Sequence, residues 1–159
     1  MILARPGVTI VPIHGKTPQI DPSAFIAPGC TIVGDVTIGP EATVWPTAVL
    51  RGDHGRIEIG ARTSVQDGTV IHATNDLATI VGSDCVIGHI VHLEACTIQS
   101  GSQVSSGAIV LHRVVVESGA IVGANSVVLN DTVVPAGALA VGSPAVIKEG
   151  RARKEDIEH

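Results

Sequence analysis

Aliphatic residues return along this chain every five or six positions, several of them followed by glycine or another small residue. Val33, Ile38, Val44, Leu50, Ile59, Val65 and Ile71 carry the series through the first part. Val81, Ile87, Leu93, Ile98, Val104, Val110, Val116, Val122, Val128 and Val134 continue it. A half-buried strand alternates with period two, and an amphipathic helix returns at three and four. A spacing of six is neither; it describes one short strand plus one turn, repeated. Three such units close a triangular coil of about eighteen residues. Coils stacked about 4.8 Å apart place each aliphatic residue on its counterparts above and below. The pattern predicts an all-β fold, a parallel β-helix of hexapeptide repeats over about 15–144. A β-sandwich would place turns roughly every 8–12 residues, and that spacing is absent.

The ends read differently. Residues 1–10 suit a short strand or arm. From Ala145 the repeat fades, and 145–159 predicts a short C-terminal helix, which needs packing on the β-helix because so short a helix is marginal alone. The 159 residues suit a single domain.

Composition sharpens this picture. Hydrophobic residues make up 45% of the chain but aromatics only 1%, so the core is built from small, similar aliphatic slots that favour strands. The 18 glycines and 9 prolines supply the turns. A net charge of −5 without a basic block argues against nucleic acid as a partner. No apolar run is long enough to span a bilayer. Pro6, Gly7 and Pro12 interrupt the N-terminal stretch, so no signal peptide is expected. Cys30, Cys85 and Cys96 lack a CxxC spacing and suggest reduced thiols in a cytoplasmic protein.

Candidate chemistry concentrates in VIGHIVHLEACTI (86–98). Ile71 and Leu93 are separated by 22 residues, one coil plus four, and HATNDLAT supplies an excursion for the surplus. This phasing puts Glu94 directly over His72 on the outer wall, with Arg51 in the same column below. His89 falls at a corner between faces and does not easily turn back to His72 of its own subunit. Around a three-fold axis it meets His72 and Glu94 of a neighbour, giving a two-plus-one site at an interface.

AVLRGDHGRIEIGARTSVQDGTVIH followed by VIGHIVHLEACTIQ resembles the γ-class carbonic anhydrases and their homologues over about residues 15–145. The resemblance implies a left-handed β-helix, a homotrimer and a divalent metal, Zn2+ with Fe2+ or another ion as alternatives, at each subunit interface. It implies His72 and a neighbour's His89 as ligands, and CO2 or bicarbonate as substrate. Arg51 and Asp53 match the family's inter-subunit ion pair, Gln66 its glutamine beside the metal-bound water, and Asp67 a second interface acid.

The third ligand departs from the family, whose motif reads IGH-x-x-x-LHGCTI; here Glu94 follows Leu93, and His92 precedes it. Three readings stay open: His72, His89 and Glu94 bind the metal together; His92 reaches across as the alternative ligand; or the site is empty of chemistry. A carboxylate ligand cancels one unit of the dication's charge, which weakens an anhydrase yet suits metal-assisted hydrolysis. His54 offers a proton-transfer group beside RGD, and Asp76 is the only acid in the loop after His72. His14, His112 and His159 read as incidental, with His112 on a turn. Two other function classes compete. VGANSVVLNDTVVPAGALAVGSPAVIK also resembles the end of hexapeptide-repeat acyltransferases, and a non-catalytic trimeric scaffold or binding protein would keep the same repeats.

Overall fold

The computed structural model describes residues 5–157 and forms a left-handed β-solenoid of about seven coils. Three columns of inward side chains stack along its axis. One runs Ile32, Leu50, Ile71, Leu93, Val110, Val128. The second runs Ile38, Ile59, Val81, Ile98, Val116, Val134. The third runs Ile26, Val44, Val65, Ile87, Val104, Val122 and ends on Ala140. All are buried, and neighbouring strands in each column pair in parallel. The six-residue aliphatic series thus lies in the core, with one exception. Val33 faces outward, and Ile32 takes the inward place because the strand Thr31–Ile38 runs on through a corner and alternates along its whole length.

Corners take small residues. Cys30, Cys85 and Cys96 are free thiols buried in such slots. Several corner residues adopt positive φ without being glycine, among them Arg62, Asp84, Arg113 and Asp131. Each such position costs about 1–2 kcal/mol. Forked ion pairs from Arg62 to Asp84 and from Arg113 to Asp131 tie successive corners together.

The expected C-terminal helix over 145–159 is not formed in its described part, 145–157; His159 lies outside the described residues. Ala145–Lys148 is a strand, antiparallel to Leu139–Gly142, and a single 3-10 turn at Lys154–Asp156 follows. The β-branched Val146 and Ile147 favour extended backbone, and the last coil offers an open edge whose backbone groups need partners. Folding back as a strand supplies those partners, which a helix does not. At the other end, the arm includes the strand Thr9–Val11. The Arg5 guanidinium donates to the carbonyls of Ala24 and Asp21, closing the first coil.

Two excursions leave the regular path, and both shape the site. The strand Val49–Ile59 carries RGDHG around a corner, and Thr74 and Leu77 bond each other's backbone in a small loop after His72.

Candidate functional site

Two clusters form on opposite edges of one face. The strands Val70–His72 and His92–Glu94 cross this face in register, pairing Val70 with His92, Ile71 with Leu93 and His72 with Glu94. Arg51 pairs with His72 from the coil before. The expected column Arg51, His72, Glu94 therefore stands at the C-terminal edge of the face.

Around His72 the polar atoms are close. Its Nε2 lies 3.0 Å from Asp53 Oδ1 and its Nδ1 2.9 Å from Glu94 Oε1. Arg51 donates to the other oxygen of Asp53. Burial alone would raise the Asp53 carboxyl, but hydrogen bonds from His72 and Arg51 outweigh it and hold it below the ordinary range. The hydrogen bond from His72 is the main cause of a lowered Glu94; burial opposes it and His92 adds to it. His92 Nε2 donates to Glu94 Oε2 at 3.1 Å, and His112 Nε2 stands 4.0 Å from that same oxygen. Sequence spacing put His92 about two strand residues from the Glu94 column; the two side chains close that gap by leaning together. His112, read as incidental, borders the cluster from the next corner.

The second cluster sits at the opposite edge, on the turns that lead into the same strands. His89 is exposed and its Nδ1 lies 3.2 Å from Asp67 Oδ1. Gln66 Oε1 is buried and has no hydrogen-bond partner among the described residues. Between the clusters the outward face shows Val70 and Ile109. The chain thus brings His72, Glu94, His92, Asp53 and Arg51 together, and Gln66, Asp67 and His89 together, as two separate groups. His54, largely exposed, lies 3.8 Å from Asp53 and stacks on His14.

A metal can be tested against this donor set. A neutral imidazole donates from one nitrogen only. If Nε2–H donates to Asp53, the lone pair on Nδ1 and the Glu94 carboxylate are two acceptors facing each other at 2.9 Å. Such a gap is filled by a second proton or by a cation. Two ligands on a tetrahedral Zn2+ stand about 3.4 Å apart, so a small opening of this pair admits one. A carboxylate on the remote nitrogen is the usual support of a metal-binding histidine. The residues fit a divalent ion. Among the described residues no three donor side chains of one chain surround a single point.

Comparison with known proteins agrees with this architecture. No family model matches the chain. It is 39% identical over 104 residues to a carbonic anhydrase of Geobacillus kaustophilus, covering 65% of this chain and 57% of that one. It is 36% identical over 112 residues to the mitochondrial γ carbonic anhydrase 2 of Arabidopsis thaliana, covering 67% of this chain and 40% of the relative. The chain thus spans about half the length of these curated relatives. A crystal structure of a hexapeptide transferase family protein from Anaplasma phagocytophilum superposes with a TM-score of 0.86 at 40% identity, covering 89% of this chain and 83% of that one. The solenoid of six-residue units defines a hexapeptide-repeat protein. Within that class, the chain belongs to the γ-carbonic-anhydrase-like family.

Proposed function

We propose that this protein acts as a trimeric metalloenzyme, with a divalent cation held by His72 and Glu94 of one subunit and His89 of the next. The observation that carries the reading is His72 held between two carboxylates, Asp53 Oδ1 at 3.0 Å from Nε2 and Glu94 Oε1 at 2.9 Å from Nδ1, of which a neutral imidazole can donate to only one. One subunit leaves the set incomplete, and its own His89 stands at the other edge of the same face. Packing that face, with its apolar Val70 and Ile109, around a three-fold axis would bring each His89 to a neighbour's His72 and Glu94.

A dication there supplies Lewis acidity, acidifying water and polarising a carbonyl oxygen. The chain's own residues do the rest. Asp53, fixed by Arg51, sets the tautomer and aim of His72. Gln66, next to Asp67, would offer its side-chain amide to orient water or substrate; its Oε1 is itself buried and has no hydrogen-bond partner among the described residues. Glu94 lowers the net charge of the site by one unit, so water is acidified less than among three imidazoles. The favoured reaction is slow CO2 hydration or hydrolysis of a small carbonyl substrate.

A second reading follows from the same pair. A doubly protonated His72 would bridge Asp53 and Glu94 with no metal, leaving a scaffold or an acid–base site of the acyltransferase kind. Elemental analysis of purified protein, wild type against His72→Ala, separates the two. Near one metal per subunit, lost in the variant, is the expected result. Metal-free protein after zinc loading and dialysis would leave the second reading standing.

A further inference from the structure

From Val49 onward the outward column that holds His92 is apolar on both sides of it: Val49, Val70, His92, Ile109 and Val127 pair in succession along the face, with Thr31 below Val49. An imidazole is the exception there, and its partner explains it. His92 Nε2 donates to Glu94 Oε2 at 3.1 Å, while Glu94 Oε1 faces His72 at 2.9 Å. The two carboxylate oxygens are therefore divided between two imidazoles. His112, 4.0 Å from Oε2, closes the same side.

A glutamate has one more rotatable bond than a histidine and two equivalent oxygens. Left alone on an outer wall it can swing toward solvent or offer both oxygens to a cation. Holding Oε2 removes both freedoms. We propose that His92 is the positioning residue of Glu94, fixing it as a single-oxygen donor directed at His72. The pair Glu94 and His92 then works as one unit, in which the second residue makes the first usable as a ligand. This inference rests on the metal reading above and names how the unusual third donor is held.

His92→Val is the informative variant, because valine already occupies neighbouring places in the column, and a melting transition that stays cooperative, even a few degrees lower, shows that the variant is folded. Zinc affinity is read by competition with a chromogenic chelator, and ligand geometry by the visible spectrum of the Co2+-substituted protein. His92→Val should weaken zinc by about 10- to 100-fold and shift the Co2+ spectrum. His92→Gln, which can donate to Oε2, should recover much of the loss. In a Glu94→His background, where no carboxylate needs orienting, adding His92→Val should change neither readout. Equal zinc affinity and an unchanged spectrum in His92→Val would overturn the positioning role while leaving the metal site intact. Failure of the wild type to bind zinc would overturn both.

Discussion

Cys96 gives the fold a measurable alkaline weakness. The residue lies just past the strand that carries Glu94, is 1% exposed, and its thiol is pushed by burial from 9.0 up to about 12. The folded chain therefore keeps this proton over a range in which the unfolded chain releases it. Stability from this group is fully present below pH 9 and falls as pH rises toward 12. Each unit of displacement is worth about 1.4 kcal/mol. The loss comes to roughly 2 kcal/mol by pH 10.5 and about 4 kcal/mol by pH 12. Burial raises Cys30 and Cys85 in the same direction. The chain has no tyrosine, and its lysines, Lys16, Lys148 and Lys154, are exposed.

Urea unfolding of wild type and Cys96→Ala at pH 7, 9, 10 and 10.5 tests this. At pH 7 the variant should be less stable by about 1 kcal/mol, the usual scale of a core truncation. The gap should narrow above pH 9 and reverse by pH 10.5, because the variant has no thiol to expose at this position. Curves that stay parallel from pH 8 to 10.5 would refute the argument, since the thiol would then titrate alike in both states.

Two further outcomes follow from the site's surroundings. Glu94 is held below the ordinary carboxylate range, so its contribution is present above about pH 4.5 and is lost as pH falls through its folded value; acid unfolding of Glu94→Gln followed by circular dichroism should have a shallower pH dependence than wild type. A Cβ on Gly55 would overlap the Thr74 carbonyl and come within 3.0 Å of the Ala73 Cβ. Gly55→Ala should therefore displace the loop after His72 and cost about 1–3 kcal/mol in thermal or urea unfolding, whereas Gly119→Ala, where nothing lies within 4 Å, should be limited to the backbone cost of its positive φ.

Period and phase made most of the fold legible in the sequence. The 22-residue separation of Ile71 and Leu93 was enough to place Glu94 over His72 and Arg51 beneath it, because parallel strands in register copy a column from coil to coil. The C-terminal strand was not legible, since its partner is the open edge of the last coil and local spacing carries no sign of it. Val33 misled for a related reason: followed by glycine, it resembles a repeat position, but the long strand through that corner sets the alternation from Ile32. The contact between His92 and Glu94 was hidden because Cα spacing along a strand says nothing of two long side chains leaning together.

That contact also bears on what the exchange of histidine for Glu94 means. A metal site abandoned by selection loses its supports independently, and stray polar groups are left with solvent. Here the carboxylate is bounded on each oxygen by an imidazole, and His72 keeps Asp53 on its remote nitrogen. Asp53 in turn keeps Arg51. Removing any one member would strand a partly buried polar partner, a loss of roughly 1–3 kcal/mol, so the network is coupled whatever ion or proton sits at its centre. Coupling of this kind predicts that Glu94 and His92 are replaced together and not singly. The position between His72 Nδ1 and Glu94 Oε1 then decides the chemistry: a proton there makes the network a rigid strut of the solenoid wall, and a cation there would make it the metal centre proposed above.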